Sequence, residues 1–134
     1  MEEQVARLGL AGSVSLPGMS GDVAGEFGAA SIFVLPSRFE GFPNSLLEAM
    51  AFGCAPIATD SAGASVEVIQ PGVNGALVPS DNVGALAEEL GRLMRDGDLR
   101  RRYAERATEV AARYAPDRIF QLWRQLLADA AGLT

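Results

Sequence analysis

Two glutamates, Glu40 and Glu48, are the residues of this chain best suited to chemistry, and seven residues separate them. The apolar run that precedes them, 32–36, has the length of a buried parallel strand. Gly41 and Pro43 then break the regular pattern, which indicates a loop. The sequence therefore predicts a strand, a tight loop that carries Glu40, and a helix that carries Glu48 one turn from its start.

The predicted helix would bring free hydrogen-bond donors to the same place. From Leu46 onward the apolar residues share one helical face, and Gly53 stops the pattern. Pro43 suits the first turn because it has no N–H there to leave unpaired, and Asn44, Ser45 and Leu46 follow with free amides. Such amides lie at the positive end of the helix dipole. An α/β sheet usually holds a phosphate at amides of this kind, just outside the carboxyl end of a parallel strand.

Carboxylates beside a phosphate site suit a ligand that is rich in hydroxyl groups. Glu40 and Glu48 would flank the predicted site, and each can accept a pair of O–H bonds. The residues therefore suggest a sugar nucleotide as the ligand. Arg38 is the only cation near the site, and three roles remain open for it: a contact to the ligand, a pair with Glu40, or a solvated loop charge.

Composition excludes several classes of protein. A chain of 134 residues with 49% hydrophobic content fits one ordinary α/β domain. No apolar run approaches the ~20 residues of a membrane span, and the N-terminus lacks a signal-peptide pattern. The single Cys54 fits a reducing compartment, so we expect a cytoplasmic protein.

Charge and residue types exclude two kinds of partner. A net charge of −6 argues against nucleic acid, which requires a basic surface. The chain has no histidine and no cysteine cluster, so we expect no zinc or other transition-metal site. All 11 cationic residues are arginine.

Short apolar runs alternate with helical patterns along the chain, which predicts an α/β fold with a doubly wound parallel sheet and right-handed crossovers. Four strands are expected, at 13–16, 32–36, 55–59 and 76–79. Helices are expected at 1–10, 20–30, 46–52, from 65, 82–95, 98–113 and 116–130.

Three local features accompany this prediction. Residues 60–65 are expected to form a loop in which Gly63 allows a close approach to the ligand or simply makes a turn. Residues 71–75 are expected to form a turn, in which Asn74 and Gly75 tolerate a positive φ. Either Ser80 or Asp81 should cap the helix at 82–95, whose core-facing residues would be Leu86, Leu90, Leu93 and Met94.

The segment Glu-Gly-Phe-Pro-Asn-Ser-Leu-Leu-Glu-Ala-Met-Ala, residues 40–51, resembles the E-x7-E motif of retaining GT-B glycosyltransferases, specifically glycosyltransferase family 4. The resemblance continues in order along nearly the whole chain, through 14–18, 53–60, Gly63, Glu67 and 72–75. It implies the C-terminal, donor-binding half of a GT-B fold, which is Rossmann-like.

The resemblance also implies roles for single residues. Glu40 would be catalytic, beside the transferred sugar, as a nucleophile, a stabiliser of the anomeric centre or a binding group. Glu48 would bind the ribose hydroxyls. The alternatives are a loop acid without function for Glu40, and for Glu48 a first-turn acid favoured by the helix dipole. The remaining donor-binding residues implied are Pro17, Gly18, Arg38, Gly41, Phe42, Asn44, Ser45 and Leu46.

Pro43 departs from the family pattern. Many relatives carry glycine at this position, and the amide of that glycine can bond the donor. Proline has no such amide. The identity of the sugar therefore stays open, as does the choice among UDP, GDP and ADP as the nucleotide, and the resemblance implies neither a metal nor a cofactor.

The resemblance implies that residues 1–134 are part of a donor-binding domain. An acceptor domain, and an Arg and a Lys that relatives place on the diphosphate, would precede residue 1. Helix 116–130 would pack towards that domain, cover a partner chain, or mediate self-association. We expect the isolated chain to be inactive and the full-length enzyme to be cytoplasmic or peripheral at the membrane. The alternatives are a non-catalytic nucleotide-sugar-binding or interaction module, one half of a split enzyme, and, less favoured, a GT-B epimerase.

Overall fold

A computed structural model describes residues 1–63 and 65–132 of the chain. Ala64, which belongs to the predicted loop 60–65, lies outside the described residues. The elements in chain order are α1 (Glu2–Arg7), α2 (Val23–Ala29), β1 (Ile32–Leu35), β2 (Phe39–Glu40), α3 (Asn44–Ala51), β3 (Ala55–Thr59), β4 (Ala62–Gly63), α4 (Ser65–Val68), β5 (Ala76–Val78), α5 (Val83–Arg95), α6 (Gly97–Ala107), α7 (Val110–Arg113) and α8 (Pro116–Ala130).

Three parallel strands form the central sheet, in the order β1-β3-β5. Every residue of β3 is buried, because helices cover both faces of the sheet. Successive side chains of a strand point to opposite faces. Accordingly, Ala58 packs with Leu46 of α3 and Val110 of α7 in one core cluster, and Ile57 packs with Tyr103 of α6 in the other. The predicted doubly wound parallel fold is confirmed, with three strands in its main sheet.

The expected strand at 13–16 is wrong. The backbone N–H groups of Ser13 and Val14 both donate to the Leu10 carbonyl, at 2.9 Å each, so they belong to a turn that follows α1. A strand is stabilised by hydrogen bonds to a neighbouring strand. Here the turn already uses those donors.

A second parallel pairing joins the two loops that follow β1 and β3. Phe39 of β2 lies opposite Ala62 of β4, and Glu40 lies opposite Gly63. The sequence predicted plain loops at both places. The pairing is two residues long and arises because the two loops leave adjacent strands in the same direction.

A proline lies within the central strand, and a glycine makes room for it. A Cβ atom on Gly75 would lie 2.6 Å from Cγ of Pro56 and 2.9 Å from its carbonyl oxygen. Gly75 is therefore required for the close approach of β5 to β3. The turn expected at 71–75 is present, and the residue with positive φ in it is Gly72, whose φ is +80°.

Two predictions about α5 are corrected. Its N-cap is Asn82, whose Oδ1 accepts from the Ala85 N–H at 3.0 Å, and not Ser80 or Asp81. Leu93 is fully buried, as predicted, but Met94 is exposed. The apolar stripe of α5 is thus narrower than the sequence indicated.

The helix predicted at 98–113 is two helices, α6 and α7. Thr108 lies at the break, and its Oγ1 donates to the Glu105 carbonyl at 2.7 Å. Such local bonds from threonine compete with the helical backbone pattern. The break lets Tyr103 of α6 and Val110 of α7 reach different core clusters.

The final helix, α8, has the predicted bounds and buries none of its residues. Its large apolar side chains are more than half exposed, and they are Phe120, Leu122, Trp123, Leu126 and Leu127. Ile119 is the exception, since it is half-buried. In the part of the chain that the structure describes, no helix combines the length and the apolar character needed to cross a membrane.

Candidate active site

The candidate site lies where β1 and β3 end, and α3 begins there. The N-cap of α3 is Pro43, one position before the first helical residue, and its ring is fully buried. The Asn44 N–H donates to the Phe42 carbonyl at 3.0 Å, so this amide is not free as predicted. The N–H groups of Ser45 and Leu46 donate to no acceptor within residues 1–63 and 65–132. Two of the three predicted donors therefore remain available.

Two successive hydrogen bonds hold Glu40. Its Oε1 accepts from Oγ of Ser37 at 2.5 Å, and the Ser37 carbonyl in turn accepts from Oγ1 of Thr59. Thr59 is the last residue of the buried strand β3, and only 6% of it is exposed. The backbone pairing of Glu40 with Gly63 supports the same loop. The half-buried Glu40 is therefore positioned from the end of the central strand.

Glu48 is the fifth residue of α3 and is exposed. The first turn of α3 contains no acidic residue, so the interpretation of Glu48 as a first-turn acid is wrong. Asn44 lies four residues earlier, and residues four apart share one helical face. The carboxylate of Glu48 and the amide of Asn44 are thus neighbours on the exposed surface of α3.

Arg38 pairs with Asp81 and not with Glu40. Its Nε lies 2.7 Å from Oδ1 of Asp81, and the two side chains are 84% and 65% exposed. Asp81 follows β5 and has a φ of 58°, a conformation that non-glycine residues adopt rarely. The pair therefore joins the loops after β1 and β5 at the carboxyl edge of the sheet.

The end of β3 also holds the loop after β5. The Asp60 N–H donates to the Val78 carbonyl at 2.9 Å, and Oδ1 of Asp60 accepts from the Ser80 N–H at 2.8 Å. Sequence reasoning missed Ser37, Thr59 and Asp60. The available signal was that small polar residues follow directly on the ends of the apolar strand runs.

Phe42 packs the loop against the C-terminal helices. Its ring meets that of Tyr114 edge to face, with centroids 6.2 Å apart. Together with Leu47, Ala51 and Ile119 they line an apolar cleft of about 530 Å³ beside the start of α3. Sequence reasoning did not find this cleft, because its two walls lie some 70 residues apart in the chain.

Pro17 and Gly18 lie on another surface feature. They line a cleft of about 690 Å³ whose other wall is the start of α1. Gly18 has a φ of +77°, so the expected turn is present. Among the described residues, no hydrogen bond connects 15–18 to the Glu40 loop. The structure thus gathers the predicted loop and helix residues at one edge and leaves Pro17 and Gly18 outside their hydrogen-bond network.

The described ranges, 1–63 and 65–132, contain no group of three or more His, Cys, Asp or Glu side chains with metal-binding geometry. The polar groups that the site does offer are the carboxylates of Glu40 and Glu48 and the free amides of α3. Carboxylates accept hydrogen bonds from hydroxyl groups, and free helix amides donate to anions. The edge can therefore bind a ligand that combines both.

Comparison with known proteins connects this edge to one family. The family described as "Glycosyl transferases group 1" matches residues 1–110. The chain is 42% identical over 123 residues to an exopolysaccharide phosphotransferase of Streptomyces coelicolor. It is 36% identical over 115 residues to an N-acetylgalactosaminyltransferase of Campylobacter jejuni that acts on N,N'-diacetylbacillosaminyl-diphospho-undecaprenol. The alignments cover 91% and 86% of this chain, but only 13% and 30% of those proteins.

A solved structure gives the same result for the fold. The chain superposes on Anabaena HepE, crystallised in complex with UDP, with a TM-score of 0.88 and 25% sequence identity. The alignment covers 96% of this chain and 35% of HepE. The fold therefore matches the Rossmann-like C-terminal domain of GT-B glycosyltransferases. From its sequence and its fold, the chain belongs to the group 1 family of glycosyl transferases.

Proposed function

We propose that this chain is the donor-binding part of a retaining, metal-independent glycosyltransferase of family 4. The enzyme would move a sugar from a nucleoside diphosphate sugar to a hydroxyl acceptor. One observation carries the proposal: Glu40 is held at the carboxyl edge of the sheet, in the loop that leads into α3, where the amides of Ser45 and Leu46 are free and Glu48 follows one turn into the helix. This combination provides for the three parts of the donor, which are sugar, diphosphate and ribose.

Each part has a charge or polarity that suits its partner. Breaking the bond between the sugar and the diphosphate leaves positive charge at the anomeric carbon and negative charge on the leaving group. The Glu40 carboxylate would stabilise the first, and the α3 amides, at the positive end of the helix dipole, would stabilise the second. Glu48 would accept hydrogen bonds from the ribose hydroxyls. The role of the protein is then mainly positioning and electrostatic stabilisation.

We propose UDP as the first nucleotide to test, ahead of GDP and ADP, because HepE was crystallised with UDP. Pro43 bears on the choice of sugar. It offers no N–H to the donor, and its buried ring gives the position a packing role. Asn44, exposed beside it, supplies a side-chain amide that would contact the sugar instead.

The activity of a whole enzyme would need more than residues 1–134, since the chain spans 13% and 30% of the two curated relatives described above. We propose that the exposed apolar face of α8 lies against an acceptor domain or a partner chain. Its five exposed apolar side chains support this, because such patches commonly mark interaction surfaces.

A second candidate function is a nucleotide-sugar-binding module without catalysis of its own. The relative with 42% identity is named as a phosphotransferase, and the chain covers only 13% of its length. In that setting the domain would bind a ligand while another part of the protein carries out a different transfer. Hydrolysis or transfer of the donor sugar by the intact protein would distinguish the two functions, since a binding module would leave the donor unchanged.

The first experiment is isothermal titration of the purified chain with UDP, GDP and ADP, together with Glu48→Ala. We expect one diphosphate to bind. Glu48→Ala should weaken that binding about 10- to 150-fold, because a hydrogen bond to a charged group contributes roughly 1.5–3 kcal/mol.

Glu88→Ala is the matched control, since Glu88 is an exposed glutamate on α5. It should leave the affinity unchanged. Equal binding of the diphosphate by wild type and Glu48→Ala would contradict the proposed site.

A further inference from the structure

The hydroxyl of Ser37 makes the shortest polar contact to the proposed catalytic carboxylate. Oγ of Ser37 lies 2.5 Å from Oε1 of Glu40, within hydrogen-bond distance. Ser37 is half-buried in the loop that follows β1. Its position is set by a second bond, because its carbonyl accepts from the buried Thr59. Ser37 is therefore bonded to Glu40 through its side chain and to Thr59 through its backbone.

This contact distinguishes the two oxygens of the carboxylate. Oε1 is occupied by Ser37, while Oε2 of Glu40 has no hydrogen-bond partner among the described residues. A glutamate side chain has several freely rotating bonds, and fixing such a side chain on binding costs free energy. A bond that already holds one oxygen removes part of that cost before the ligand arrives.

We infer that Ser37 is a positioning residue for Glu40: its hydroxyl holds Oε1 so that Oε2 is available to the donor sugar. This inference rests on the proposed function, because it assigns Glu40 to the sugar. Arg38, the next residue, does not share the role, since its side chain pairs with Asp81. The loop thus holds the carboxylate of Glu40 in place, while its cation, Arg38, binds Asp81 instead.

The inference is tested by the gain in affinity that the sugar brings. The dissociation constant of each diphosphate, UDP, GDP and ADP, is divided by that of its glucose conjugate for the purified chain. The conjugate with the largest ratio is used further. Glu40→Gln should reduce this ratio to near one. Ser37→Ala should reduce it about three- to tenfold, the cost of ordering one flexible side chain, without changing the affinity for the diphosphate alone.

Three further variants separate positioning from general damage. In a Glu40→Gln background, Ser37→Ala should have no additional effect, because the bond it removes serves Glu40 only. Ser37→Thr keeps a hydroxyl and should keep the ratio. Ser80→Ala is the matched control, since the Ser80 hydroxyl is buried at the same edge and has no partner among the described residues.

The outcomes distinguish the inference from the function on which it rests. If Glu40→Gln reduces the affinity ratio to near one and Ser37→Ala leaves it unchanged, the role of Ser37 is refuted and that of Glu40 stands. A loss of diphosphate affinity in Ser37→Ala equal to the loss of conjugate affinity would also refute positioning. If no conjugate binds more tightly than its diphosphate, or Glu40→Gln changes nothing, the assignment of Glu40 to the sugar fails and the inference fails with it.

Discussion

Gly75→Ala should destabilise the fold more than a single methyl group suggests. Gly75 precedes β5 and lies against Pro56 in the middle of the sheet. The added Cβ would lie 2.6 Å from Cγ of Pro56 and 2.9 Å from its carbonyl oxygen, where ordinary contacts begin near 3.4 Å. A flexible side chain could turn away from such a contact, but a proline ring and a backbone oxygen cannot. One of the two strands must therefore move.

The size of the effect follows from what such a movement disturbs. Pro56 is fixed on its other side, opposite Phe33 of β1, so the shift falls on β5 and its three-residue pairing with β3. Overpacking of a well-packed core costs about 1–3 kcal/mol. For a domain of this size each kcal/mol lowers the melting temperature by about 3–6 °C. We expect Gly75→Ala to melt roughly 3–18 °C below wild type.

Thermal unfolding followed by circular dichroism measures this difference. Gly28→Ala is the matched control, because Gly28 lies within α2 and its added Cβ would meet no atom within 4 Å. It should be neutral or stabilising by about 0.5–1 kcal/mol, the helix preference for alanine over glycine. A Gly75→Ala melting temperature equal to that of wild type would refute the steric argument.

Two other predictions concern a thiol and a surface. Burial raises the pKa of the Cys54 thiol, and Sγ of Cys54 lies 3.4 Å from the Phe27 carbonyl oxygen. Iodoacetamide should therefore alkylate Cys54 only in urea, and rapid alkylation of the native chain would contradict this. The free energy of unfolding should fall as the pH rises above about 8.5, because the thiol then ionises in the unfolded chain but not in the folded one. The apolar face of α8 should make the chain self-associate. Sedimentation should therefore give a larger species for wild type than for a Trp123→Ser, Leu127→Ser double variant. A wild type that is strictly monomeric at high concentration would exclude self-association.

The strands of the main sheet could be predicted because their signal is local. Buried parallel strands are short apolar runs, and β1, β3 and β5 all have this form. The run at 13–16 has a similar composition, yet its amides bond to Leu10 in a turn. Composition thus indicates which segments could join a sheet. The partners available in space decide which of them do.

The candidate residues of the site could be selected from the sequence, but the residues that hold them in place could not. Glu40 and Glu48 stand out by type and spacing, and the loop and helix around them follow from proline, glycine and apolar periodicity. The bond from Thr59 to Ser37 crosses 22 residues of sequence, and the pairing of Arg38 with Asp81 crosses 43. Such contacts depend on the order of strands in the sheet, which no local pattern encodes.

For the function proposed above, the way these contacts are distributed indicates where donor specificity would be set. Glu40 is held by Ser37 and Thr59, and Thr59 belongs to the strand that is buried along its whole length. Groups fixed from rigid elements suit the part of a reaction that every donor shares, which is the charge at the anomeric carbon. The exposed Asn44, at the first position of α3, has no such support. It can be replaced at little cost to the fold, so differences in sugar preference between related enzymes should map to this position before they map to the residues that hold Glu40.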